Sequence, residues 1–145
     1  MTKIFRIIIF IYLIVFFSSA VLSKENFFDE ALKMYQSEKY DDARFMFERN
    51  IVFNPKDAQS YLYLAKIYNF EENEKEKEKN INTVLLLNPK NEEAIYILME
   101  IELKKSNYSK VQQLAEKFTK VCIKLCDNKN LILESLKNLE PKNES

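Results

Sequence analysis

Phe53-Asn54-Pro55-Lys56-Asp57 returns as Leu87-Asn88-Pro89-Lys90-Asn91, with Pro89 standing 34 residues after Pro55. A fixed period of this size marks supersecondary units stacked along the chain. Proline cannot continue a helix, and an Asp or Asn two residues later is suited to cap the next one, so both prolines read as punctuation between units. Upstream of each proline the apolar residues recur at three and four, as Ala43, Phe47 and Ile51, then as Ile81, Val84 and Leu85. Downstream they do so again, as Tyr61, Leu64, Ala65 and Tyr68, then as Ile95, Leu98 and Met99. Each period is therefore two amphipathic helices. Neither helix buries its stripe alone, so the units must stack.

These residues resemble the tetratricopeptide repeat (TPR) family. Its first-helix pattern is matched by Tyr61, Leu64, Ala65 and Tyr68, and its second-helix pattern by Tyr40, Ala43, Phe47 and the closing Pro55. The second unit departs from it, with Lys77 at the alanine position and Ile81 for the aromatic, but keeps Pro89. The third unit carries Ala94, Ile95 and Leu98, with Met99 at the small position, then Tyr108 and Val111. It has Ile123 where the closing proline belongs. The resemblance runs from Lys24 to Lys124 and implies an all-α, short α-solenoid of about three stacked antiparallel hairpins.

The flanks complete the division. Lys3 and Arg6 precede an unbroken apolar run from Ile7 to Phe17, followed by Ser18, Ser19, Ala20, Val21, Leu22 and Ser23. That order is a secretory signal cut after Ala20 or Ser23, or an uncleaved apolar anchor helix. The cations before the run direct the remainder out of the cytoplasm in either case. Residues 1–23 are thus a signal peptide or signal anchor, and repeats occupy 24–57, 58–91 and 92–126. Residues 127–145 supply a capping helix and tail, with Leu131, Ile132, Leu136 and Leu139 facing the last repeat. The stripe Val111, Leu114, Ala115, Phe118, Val121, Cys122 and Leu125 predicts that the second helix of the third unit overruns its usual end. Cys122 and Cys126 then share one helical face and read as small buried apolar residues. A disulfide requires that the helix stop before Cys126.

Composition removes whole classes of function. The chain has no His and no Gly, which excludes imidazole-based catalysis and the glycine-rich phosphate loops. Acidic and basic residues each number 22 and are interspersed, so no basic face for nucleic acid is formed. The alternating acids and lysines of Glu71 to Lys79 read as a solvated turn. No enzymatic constellation, cofactor site or metal site is expected.

The resemblance further implies a concave groove lined by the first helix of each unit. It would present Phe28 and Tyr35 from the first unit, Tyr63, Lys66 and Phe70 from the second, and Tyr96, Glu100 and Lys104 from the third. One branch of the family clamps acidic C-termini with basic and asparagine side chains. The corresponding positions here are Phe28, Leu32, Tyr63, Glu93 and Ile97, so that clamp is absent. The expectation is a non-enzymatic interaction module outside the cytoplasm, periplasmic, secreted or tethered, that holds an apolar peptide segment or helix of another protein. The alternative is a self-associating structural subunit of an envelope complex, a homo-oligomer whose groove is filled by its own neighbour. The membrane would be met only through an uncleaved N-terminal segment.

Overall fold

A computed structural model describes residues 27–139. The signal-or-anchor segment and the chain after Leu139 lie outside the described residues. Within them the chain forms seven α-helices and no strand: α1 (Phe27–Gln36), α2 (Tyr40–Phe53), α3 (Ala58–Phe70), α4 (Glu74–Leu87), α5 (Glu92–Lys104), α6 (Tyr108–Val121) and α7 (Asn128–Leu139). They pair as the hairpins α1/α2, α3/α4 and α5/α6, which stack in sequence, and α7 closes the end against α6 and α5. This is a short TPR-like α-solenoid.

Each hairpin reverses at a residue with positive φ: Glu38 (58°), Glu72 (56°) and Ser106 (58°), spaced by the same period as the prolines. The bonding around them repeats too. Lys39, Asn73 and Asn107 donate their amides back to the carbonyls of Met34, Tyr68 and Glu102, at 3.0, 2.9 and 2.9 Å. This is the Schellman closure, a helix end that calls for a left-handed residue and most often takes glycine. With no glycine in the chain, glutamate and serine accept that conformation, at a cost of about 1 kcal/mol each. Lack of glycine thus excludes phosphate loops but not tight helix reversals.

Between hairpins the prolines behave as the sequence predicts. Asp57 accepts from the amides of Gln59 and Ser60 at the start of α3, and Asn91 from the amide of Ala94 at the start of α5. The first junction is reinforced by a buried polar knot: Asn50 donates to Asp57 and to the Ser60 hydroxyl, each at 2.8 Å. Asn50 stands on α2 where the later hairpins carry the buried Val84 and Phe118, and its hydrogen bonds offset its desolvation.

The third junction differs from expectation. The second helix of the third unit does not overrun; α6 stops at Val121, with the same length as α2 and α4. Cys122 and Cys126 are not parallel side chains on a helix but a disulfide across the following turn, with Cα atoms 5.3 Å apart. The apolar spacing through Leu125 continued into a loop, where periodicity does not distinguish a helical face from turn residues packed on the same core. Closing so short a loop restricts the unfolded chain by about 2 kcal/mol. The loop amides of Ile123 and Lys124 point at the carboxylate of Glu92, at 2.5 and 3.0 Å, with Leu125 at 3.4 Å. Glu92 and the disulfide therefore replace the missing proline and cap.

Two apolar clusters fill the stack. One joins Phe27, Ala31, Ala43, Met46, Phe47, Leu64 and Ile67 across α1 to α3. The other runs from Leu62 and Ala65 through Ile95 and Met99 to Phe118, and ends on Ile132 and Leu136 of α7. Leu131, expected to face the last repeat, is exposed instead.

Two outcomes are expected. Glu38→Gly, Glu72→Gly and Ser106→Gly each raise the urea midpoint, by about 0.5–1 kcal/mol of stability, because glycine takes positive φ without the Cβ clash; a lowered midpoint would contradict the turn assignment. Hydrogen bonding from the Ile123 amide, then from Lys124 and Leu125, holds the Glu92 carboxyl below its ordinary pKa. Its folded value lies under its unfolded one, so this contact stabilises the fold above the usual glutamate range and is lost as pH falls through the folded value. The amide proton shifts of Ile123 and Lys124 should titrate at that low midpoint, and Glu92→Gln should abolish the titration.

Candidate peptide-binding groove

The inner face is built by α1, α3 and α5. Between these helices lies a pocket of about 150 Å3 whose walls include Tyr35 from α1, Lys66, Asn69 and Phe70 from α3, and Ile97 and Glu100 from α5. Helical spacing places Lys66, Asn69 and Phe70 together, three and four residues apart on one face. Lys77 of α4 reaches the pocket floor from behind.

Charge in this hollow is paired internally. Lys66 reaches Glu93 at 2.7 Å and lies 4.8 Å from the centroid of the Tyr63 ring. Lys77 is almost fully buried, 4 % exposed, and holds Glu74 at 2.6 Å and the Asn69 side-chain oxygen at 3.1 Å. Lys104 takes the other oxygen of Glu74 at 2.8 Å. Hydrogen bonding from Lys104 and then Lys77 keeps the Glu74 carboxyl below its ordinary pKa. Burial, then the neighbouring Tyr40, Tyr63 and Glu93, pushes the Tyr35 hydroxyl up, so it stays protonated as a donor. The segment Glu71 to Lys79 is accordingly more than a solvated turn: Lys77 belongs to the core.

The expected groove residues divide. Tyr35, Lys66, Phe70 and Glu100 come together in the pocket. Tyr63 stacks flat on Phe47, with centroids 5.1 Å apart, and meets Tyr35 edge-on at 5.0 Å, so it supports the wall from inside. Phe28 packs against Phe47 and Tyr63, then turns to a separate open cleft of about 550 Å3 beside Phe53, Pro55 and Lys56. Tyr96 does not line the pocket; it packs on Phe118 of α6 at 6.4 Å, and Ile97, one residue on, lines it instead. Lys104 is tied to Glu74 at the groove edge. Asn69 was missed, although it stands one helical turn beyond Lys66, the signal that would have found it. Leu62, the residue before Tyr63, is buried in the core.

A hollow of this volume has room for one bulky side chain against Phe70, Tyr35 and Ile97. The three lysines around it already face carboxylates, and among the described residues no group of His, Cys, Asp or Glu is placed to hold a metal ion.

No protein-family model matches this sequence, and no curated protein matches it. Solved structures do. The Yersinia enterocolitica type III secretion chaperone SycD, in complex with a peptide of the translocator YopD, superposes with a TM-score of 0.71 at 18% identity, over 81% of this chain and 94% of that one. PcrH in complex with the chaperone-binding region of PopD gives 0.69 at 15% identity, over 81% and 92%. The first TPR of Spaghetti (RPAP3), bound to the HSP90 peptide SRMEEVD, gives 0.68 at 14% identity, over 79% and 91%. The likeness is one of fold.

The ring packing separates support from contact. Tyr63→Ala should cost about 2–4 kcal/mol in denaturant unfolding, near the lower part of the range for core truncations. Phe70 is 57 % exposed and stacks on Tyr40, with centroids 4.6 Å apart. Phe70→Ala should cost no more than about 1 kcal/mol. Equal losses for the two would contradict this division.

Proposed function

We propose that this protein is a non-enzymatic interaction module that acts outside the cytoplasm, secreted or tethered by its N-terminal segment, and holds an apolar peptide segment of another protein on its inner face. The observation that carries the reading is the pocket between α1, α3 and α5. Its apolar wall of Tyr35, Phe70 and Ile97 is open, while Lys66, Lys77 and Lys104 are already neutralised. A partner that brings a bulky aliphatic or aromatic side chain gains apolar contact there. A partner that brings a carboxylate would have to displace Glu93 or Glu74 from its lysine. SycD in complex with a peptide of YopD and PcrH in complex with the chaperone-binding region of PopD share this fold, which supports a reading as a protein that holds a segment of another protein.

Selection of random 16-residue peptides on the full chain should enrich sequences with bulky apolar residues and not those ending in clustered acids. The double variant Phe70→Ala with Ile97→Ala should weaken the selected peptides by at least about tenfold while helicity by circular dichroism is retained. Enrichment of acidic C-termini, or unchanged affinity in the double variant, would overturn the reading.

A further inference from the structure

The repeat shows what ends each second helix. Pro55 and Pro89 stand just after α2 and α4, and one period later the same position is Ile123. Proline has no amide with which to continue a helix, so the first two stops are permanent. After α6 the stop is made instead by the Cys122–Cys126 disulfide and the Glu92 carboxylate, and a disulfide is reducible. Residues 122–125 are otherwise suited to be helix. They contain no proline or glycine. Val121, Cys122 and Leu125 already pack on the same core as Leu114, Ala115 and Phe118, at the three and four spacing of α6. The disulfide is what forbids the helix. Side chains four apart on a helix have Cβ atoms about 5–6 Å from each other, beyond the roughly 3.5–4.5 Å that a disulfide spans.

The amides of Ile123, Lys124 and Leu125 therefore have two sets of acceptors open to them. One is the Glu92 carboxylate, which they meet in the loop. The other is the carbonyls of Thr119, Lys120 and Val121, four residues back, which they would meet in a longer α6. A longer α6 leaves no room for α7 where it stands. The links inside the hairpins use three residues, 37–39, 71–73 and 105–107, whereas α6 and α7 are joined by 122–127. Helix continued through Leu125 would leave only 126 and 127 to reverse the chain, fewer than any turn in this fold uses. Ile132 and Leu136, which seat α7 on the last core, could not keep their places.

We propose that the disulfide is a redox latch on the C-terminal cap: a dithiol reduces it, α6 extends through Leu125, and α7 leaves the end of the stack. The bond is open to exchange, since Cys126 is exposed and Cys122 partly so. One thiolate of the dithiol attacks the Cys126 Sγ and the S–S bond breaks, leaving Cys122 as a thiolate that takes up a proton. The second thiolate attacks the mixed disulfide and releases Cys126, which is protonated likewise, and the dithiol departs as its own disulfide. The test follows the full chain in mild detergent by NMR and amide exchange, before and after dithiothreitol. Reduction should move the 13Cα shifts of Ile123, Lys124 and Leu125 to helical values and speed exchange at Ile132 and Leu136 at least about tenfold. Phe47 and Ile67, in the other core cluster, should keep their protection. Ile123→Pro restores the stop of the first two repeats, and Cys122 already has the extended backbone, φ −65° and ψ 141°, that suits a residue before proline. That variant should hold α7 in place under dithiothreitol. Unchanged shifts and protection in the reduced chain would overturn the latch. Loss of protection throughout, Phe47 and Ile67 included, would make the disulfide a general staple and overturn it as well. Release of α7 in the reduced Ile123→Pro chain would show that extension of α6 is not the cause, and the latch fails in that case too.

Discussion

Everything in this fold depends on the chain reversing at Glu38, Glu72 and Ser106. A single hairpin has apolar residues on both sides of each helix and only one partner helix, so it is stable only when its neighbours meet it in register. The left-handed turns set that register. They fix the length of each first helix and the start of each second one, and so bring Ala31 and Ala43 into one core, and Met99 and Val111 into the other. All four of those side chains are fully buried. That the turns recur without glycine shows the period to be held by the backbone closure itself.

Much of this was legible in the sequence, for a physical reason. Proline acts through its own backbone, Asp57 and Asn91 through side chains bonded to amides two or three residues on, and local rules read local causes well. The third junction was illegible because its causes are not local. The stop at Val121 depends on a covalent bond between Cys122 and Cys126 and on a carboxylate from Glu92, some thirty residues back in sequence. Apolar spacing through Leu125 continued the helical stripe, since Cys122 and Leu125 still pack on the α5 to α7 core. Periodicity reports which side faces inward, and it cannot say whether the backbone carrying that side is still helical.

The inner face was legible as a set of helices and only partly as a set of residues. Reading off Tyr63 and Tyr96 assumed that an aromatic on a first helix faces the groove if it is not on the packing stripe. A helix wedged between neighbours has more than two environments, however. Tyr96 leans toward α6, and Tyr63 sits edge-on to Tyr35 and flat on Phe47, while Ile97 and Asn69 occupy the angles that stay open. One helical residue is a rotation of about 100°, enough to exchange core for groove. The identity of the contact residues is therefore set by hairpin crossing geometry, which the sequence pattern does not resolve to one residue.

Lys77 joins these levels. At a position where the other hairpins use Ala43 and Val111, it threads a long stem through the core and ends on Asn69 and Glu74. Glu74 in turn holds Lys104, so one chain of polar contacts ties α3, α4 and α5 beneath the pocket. A buried ammonium is tolerable only with partners in place, and removing one costs far more than never having built the pair. The network thus fixes Asn69 and the lip of the pocket as firmly as packing fixes its apolar wall. It also commits the groove's cations before any partner arrives. Under the proposed function, discrimination against acidic ligands would follow from arrangement: the lysines are present, but each is already part of the protein's own structure.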